Sequence, residues 1–239
     1  MIRCITFDLD DTLWACGPVI LRAEQALYDW LRERYPRICE VRSVEDMRAH
    51  RAALLKSRSD LRHDMTALRR HWIAQLADEA GYGREMVEPA VAYFRHHRNQ
   101  VTFFDAARPL LGRLRQQYTV GAITNGNAQL ERIGADHLFD FIVYAADAGV
   151  AKPDARIFRA ALARAQAEPA VAVHVGDDPD NDVLGAARAG MRTVWYNPKM
   201  SPWPGGRPPD AVIGALRDLH DVLARWSVKQ NDRQAGANF

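Results

Sequence analysis

Lysine is nearly missing from this chain: of 32 basic residues in 239, only four are lysine, at positions 56, 152, 199 and 229. Positive charge is otherwise written as arginine, so a lysine beside an acidic cluster marks a place for a compact point charge. Cysteine is scarce too. Cys4, Cys16 and Cys39 are odd in number and lack CxxC spacing, which excludes a structural zinc site and fits a reduced, cytoplasmic protein. No run approaches the eighteen apolar residues of a membrane span, and no charged stretch precedes an apolar one at the N-terminus, so neither a membrane partner nor a targeting segment is expected. Excess charge is missing as well: the net value of +2 is too small for a nucleic-acid partner. With 48% hydrophobic and 26% charged residues, the remaining composition is that of an ordinary globular protein.

Against this background, "FDLDDTLW" at residues 7–14 stands out. Three carboxylates, Asp8, Asp10 and Asp11, follow directly on the apolar run "MIRCITF". Like charges that close repel unless a cation, a proton or a ligand offsets them. The pattern then changes. Residues 18–101 show helical stripes, among them Ile20, Ala23, Leu27, Leu31 and later Leu68, Trp72, Ile73, Leu76, with breaks at "YPRICEVRS" and "AGYGRE". They predict an insert of roughly four helices. It is mildly basic: residues 15–101 hold 15 Lys+Arg against 12 Asp+Glu and five of the eight histidines, a balance that suits an anionic ligand.

From residue 105 strands and helices alternate. Helices are expected at 107–117, 127–133, 154–166, 180–189 and 215–226, and strands at 118–124, 141–145, 171–176, 192–196 and 211–213. Such βαβ alternation implies a parallel sheet covered on both faces by helices. "NPKMSPWPGGRPPD" (197–210) reads as a loop, and "KQNDRQAGANF" (229–239) as a frayed tail.

Ligands in open parallel sheets bind outside the carboxyl ends of the strands. Four expected strand ends carry polar clusters: "DLDDT", "TNG" with Thr124 and Asn125, "AKPDA" with Lys152, and "GDDPDND" with Asp177, Asp178, Asp180 and Asp182. Each has a structural explanation alone, as a helix cap, a turn or a helix start. Their recurrence at successive strand ends points to a site. Asp8 and Asp177 could supply carboxylates to Mg²⁺, Thr124 and the Asn125 backbone N–H could bind phosphate oxygens, and Lys152 could offset the remaining charge. Asp8 is then placed as a nucleophile and Asp10 as the acid and base that serves it.

These four clusters, in this order, resemble the motifs of the haloacid dehalogenase superfamily of phosphatases. The resemblance implies a Rossmann-like α/β core at 1–14 and 102–228 and an inserted helical cap of the C1 type at 15–101. By motif position it also implies Asp8 as nucleophile, Asp10 as general acid/base and backbone Mg²⁺ ligand, Asp177 as metal carboxylate, and Asp182 as the residue that orients Lys152 or a metal-bound water. Which motif-four carboxylate touches the metal stays open, because Asp178 is adjacent. "ITFDLDDTLW", "GPVILRAEQAL", "ITNGNAQ" and "VHVGDDPDNDVLGAARAGM" are similar to phosphatases of riboflavin precursors and FMN, which implies a small phosphorylated metabolite as substrate and a monomer or weak homodimer. His63 and Arg69, in "RHDMTALRRHW", are cap candidates for contact with the leaving group, although a solvated helix face explains most of that stretch. Three rivals remain. Haloalkanoate dehalogenases share the nucleophile but need no second aspartate, receiver-type signalling modules are half this length, and a scaffold that binds phosphometabolites without turnover would not need the Asp8/Asp10 pair.

Overall fold

Six parallel strands form one sheet in the order β3-β2-β1-β4-β5-β6, in a computed structural model that describes residues 1–235, with 228–235 as backbone only. The strands are β1 (Cys4–Phe7), β2 (Thr119–Thr124), β3 (Phe141–Tyr144), β4 (Ala172–Gly176), β5 (Arg192–Tyr196) and β6 (Ala211–Ile213). All four residues of β1 are buried, because helices cover both faces of a central parallel strand and leave no polar side. The chain runs outward from β1 through β2 to β3, crosses back to β4 on the other side of β1, and continues outward. The reversal places the carboxyl ends of β1 and β4 side by side at a topological switch point.

The inserted segment after β1 carries five α-helices: α1 (Cys16–Arg34), α2 (Pro36–Glu40), α3 (Val44–Ser57), α4 (Met65–Glu79) and α5 (Val87–Arg98). One more helix forms than the apolar stripes predict. The stretch read as a break at "YPRICE" coils into α2, whose first residue is Pro36, a position where a proline ring preorganises the helix and its missing N–H costs nothing. These helices bury a cluster of their own that includes Leu27, Leu31, Leu68, Trp72, Ile73, Leu76 and Phe94. Two further clusters line the faces of the sheet.

The core helices are α6 (Ala107–Leu114), α7 (Leu130–Ile133), α8 (Ala145–Ala148), α9 (Ala155–Ala165), α10 (Gly185–Arg188) and α11 (Leu219–Ala235). In α9 the stripe Ile157, Phe158, Ala161, Leu162 is buried, and Asp154 caps the helix by accepting from the Arg156 N–H at 2.9 Å. Three expectations are corrected. The helix at 127–133 begins only at Leu130, because the Asn99 side chain holds the Gln129 N–H at 2.9 Å outside the helix. The helix at 180–189 is split into a π-helical turn at Pro179–Leu184 and a short α10, an irregularity common beside functional sites. The tail expected from 229 is helical through Ala235, since no glycine or proline stops the helix before Gly236; the remainder of that expected tail, 236–239, lies outside the described residues. Among the described residues no helix is long and apolar enough to cross a membrane.

All three cysteines are free, and Cys4 is buried within the sheet. Burial, assisted by the charge of Asp140, pushes the Cys4 thiol up to about 11, so little thiolate is present at pH 8. Alkylation of the native protein at pH 8 should therefore leave Cys4 unmodified by mass spectrometry. All three thiols should react once the chain is unfolded.

Candidate active site

At the switch point, the Lys152 ammonium joins the ends of β1 and β4. Its Nζ donates to Asp8 Oδ1 at 2.5 Å, to Asp182 Oδ1 at 2.6 Å and to the Ile123 carbonyl at 3.1 Å, with 3% of the side chain exposed. Burial opposes its charge, yet the two carboxylates outweigh burial and raise its affinity for the proton. Asp182 is raised by burial but pulled well below the usual carboxylate range by the charge of Lys152 and the hydrogen bond from His174. Asp8 moves the other way: burial lifts it well above the usual range, Lys152 offsets only part of this, and Asp182 and Asp10 add repulsion.

The backbone of Lys152 is clamped as firmly as its side chain. The Asn125 amide donates from Nδ2 to the Lys152 carbonyl at 3.0 Å and accepts from the Lys152 N–H at 2.8 Å. Thr124, buried at the end of β2, accepts the Gly126 N–H at 2.9 Å. Asp182 is held from behind by His174 on β4, whose Nε2 lies 3.2 Å from Asp182 Oδ1 while Nδ1 lies 2.8 Å from Thr6 Oγ1. Burial lowers the His174 pKa, so the ring is neutral near pH 7. An ionised carboxylate only accepts, so Nε2 carries the hydrogen. Gly176 opens the room for this packing: a Cβ there would come within 2.2 Å of Asp182 Cγ.

Asp177 completes a group of three carboxylates with Asp8 and Asp182. One ligand oxygen from each of Asp8, Asp177 and Asp182 lies within 4.8 Å of the others. Thr12 Oγ1 donates to Asp177 Oδ1 at 3.0 Å, but no cationic side chain pairs with Asp177 among the described residues. Burial and then the charge of Asp182 push it up to about 7. With Lys152 committed to Asp8 and Asp182, this half-buried carboxylate lacks a positive partner, and an all-oxygen donor set of this kind fits a hard divalent cation. Asp178 is otherwise engaged: Oδ1 accepts the N–H groups of Asp180 and Asn181 at 2.9 Å each, and Oδ2 accepts Asn181 Nδ2 at 2.8 Å. Its carboxylate caps the π-helical turn.

Asp10 receives Trp14 Nε1 at 2.8 Å on Oδ1, and Arg98 Nη2 at 2.7 and 2.6 Å on its two oxygens. Asp11 has a left-handed backbone, with φ of 58°, and accepts the Cys16 N–H at 2.9 Å as α1 begins. His63 borders two clefts between the helical segment and the core: one of about 690 Å³ that reaches Lys152, and one of about 290 Å³ that reaches Gly126 and Asn127. Arg69 is buried inside the helical segment, with its guanidinium 3.2 Å from the centre of the Phe94 ring and no bond to any site carboxylate. A third cleft, of about 810 Å³, runs from Asp177 along Trp195, Tyr196 and the proline-rich loop to Pro204. The sequence reading missed Arg98, Trp14, Thr12 and His174. Only His174, inside the apolar strand "VAVHVG", left a trace there: a polar residue at a position that must be buried.

The family model of the haloacid dehalogenase-like hydrolases matches residues 2–190. The chain belongs to that family and is an enzyme, a hydrolase. It is 31% identical over 230 residues to the 5-amino-6-(5-phospho-D-ribitylamino)uracil phosphatase YigB of Escherichia coli, covering 93% of this chain and 96% of that protein. It is also 31% identical over 239 residues to a glyceraldehyde 3-phosphate phosphatase of Methanopyrus kandleri, covering 93% and 97%. Among solved structures, one described as a 2-haloacid dehalogenase from Pseudomonas syringae superposes with a TM-score of 0.88 at 43% identity, covering 95% of this chain and all of the other.

Removing one partner of a buried ion pair strands the other in low dielectric. Lys152→Met should lower stability by about 3–5 kcal/mol, measured by denaturant unfolding. Adding Asp182→Asn should restore part of the loss.

Proposed function

We propose that this chain is a Mg²⁺-dependent phosphatase that hydrolyses a small phosphorylated metabolite through an aspartyl phosphate. The observation that carries the reading is the pair Asp8 and Asp10 on one strand end, the first paired with Lys152 and the second held separately by Trp14 and Arg98. Lys152 occupies Asp8 Oδ1, which leaves Oδ2 to attack phosphorus. The ester P–O bond breaks, and Asp10, having taken up a proton from water before the step, gives it to the departing oxygen. Water then attacks the phosphorus of the aspartyl phosphate and passes a proton to Asp10. The bond between phosphorus and Asp8 breaks, inorganic phosphate leaves, Asp8 is restored as a carboxylate and Asp10 as the protonated acid. Thr124 and the Asn125 N–H bind the phosphoryl oxygens, and Lys152 offsets their charge. Asp8 and Asp177, with the Asp10 carbonyl, would hold Mg²⁺, which supplies charge neutralisation of the phosphate when bound. Residues 15–101 act as the cap that shields this chemistry from bulk water, with His63 facing the leaving group.

The whole-length relation to the Escherichia coli enzyme supports 5-amino-6-(5-phospho-D-ribitylamino)uracil as the substrate, with FMN the alternative that the sequence resemblance implies. The dehalogenase reading draws on the Pseudomonas structure at 43% identity. Asp10 counts against it: a departing halide needs no proton, whereas a departing alkoxide does, and Asp10 is the residue read as supplying one. Phosphate release should require Mg²⁺ and stop with a chelator, with the highest kcat/KM for flavin-related phosphates in a panel that includes sugar phosphates. Chloride release from 2-chloropropionate without metal would overturn the reading in favour of the dehalogenase. Asp8→Asn should abolish turnover while thermal unfolding remains cooperative. Asp10→Asn should slow turnover by about 10²–10⁴-fold, the range general acid/base catalysis contributes, read as steady-state phosphate release.

A further inference from the structure

Arg98 ends α5, 88 residues beyond Asp10. It is 1% exposed, among the largest fully buried side chains in the molecule. A guanidinium is taken out of water at a cost of several kcal/mol unless an anion meets it, and the anion that meets this one is Asp10, through both carboxylate oxygens. The other terminal nitrogen, Nη1, is buried without a partner. Three features shape the pocket for this pair. Trp14 Nε1 takes a second position on Asp10 Oδ1 at 2.8 Å. Gly126 leaves the space: a Cβ there would sit 2.3 Å from Asp10 Oδ2 and 3.3 Å from Arg98 Nη2. Asn99, the next residue after Arg98, accepts the Gln129 N–H at 2.9 Å and ties the end of α5 to the loop that follows β2.

We propose that Arg98 is a positioning residue for Asp10, contributed by the helical insert, so that the carboxylate takes its working orientation only when α5 is seated on the core. The proposal rests on the phosphatase reading of the site. With Oδ1 receiving Trp14 and Arg98, and Oδ2 receiving Arg98 at 2.6 Å while packed against Gly126, rotation of the carboxylate is blocked. Its 19% exposed side chain is the open edge at which a leaving oxygen would meet it. Arg98 acts through Asp10 and does not touch the reacting atoms.

The test uses two substrates that differ in their need for a proton. An alkyl phosphate must have its leaving oxygen protonated, whereas nitrophenyl phosphate releases a stable phenolate unaided. Arg98→Met should lower kcat/KM for a sugar phosphate at least tenfold more than for nitrophenyl phosphate. Asp10→Asn should show the same bias, the double variant should be no slower than Asp10→Asn alone, and Arg98→Lys should recover part of the loss. Equal losses on both substrates, or losses that multiply in the double variant, would overturn the proposal and leave Arg98 a packing residue. Wild-type protein inert towards both phosphates would instead count against the phosphatase reading. Wild type, Arg98→Met, Asp10→Asn and the double variant in thermal unfolding then decide the pairing by themselves: non-additive shifts in Tm support it, and additive shifts refute it.

Discussion

An ammonium with almost no exposure lies between two carboxylates drawn from β1 and from the turn after β4, and most of the candidate site is arranged around it. Without Lys152, Asp8 and Asp182 would face one another across the switch point with nothing to offset their charge. With it, Asp182 is held ionised and Asp8 keeps one oxygen free. The compactness of the ammonium matters here, because three acceptors converge on a single atom, a geometry that a planar guanidinium fork cannot adopt. In a chain that spends 28 of its 32 basic residues on arginine, this is one of the few lysines.

Around that centre the other polar groups are divided by task, and the division is made by geometry. Asp178 is spent on capping the π-helical turn, Asp182 on Lys152, and Asp177 is left with a hydroxyl donor and no cation. Three carboxylates within six residues thus have separate environments. Within the turn, Asp182 reaches back beside Gly176 to accept the Asp178 N–H at 3.0 Å.

The helical insert is joined to this arrangement by more than its two connections. Leu13 and Phe104, on either side of it, share a backbone hydrogen bond at 2.8 Å, and Trp14 packs edge-on against Phe103. Arg98 then brings a charge from the far end of the insert to Asp10. A segment with its own apolar core is thereby connected to the acidic end of β1 through a buried ion pair, which is directional where apolar packing is not.

Much of this protein is legible in the order of its residues alone. Apolar runs of four to six residues alternating with amphipathic stripes determine a parallel sheet, because strands buried on both faces cannot carry the polar alternation of a one-sided sheet. The strand-end clusters determine where chemistry is placed, because ligands approach a parallel sheet at its carboxyl edge. Asp8, Asp10, Thr124, Asn125, Lys152, Asp177 and Asp182 are all visible on that ground. Tertiary structure alone decided the partners. Nothing local ties Arg98 to Asp10, His174 to Thr6, or Thr12 to Asp177 across 165 residues, since periodicity reports which face a residue occupies and not what it meets there. The place of Arg69, buried on Phe94 where a solvated helix face was the simpler expectation, was decided the same way, by how α4 and α5 pack against each other.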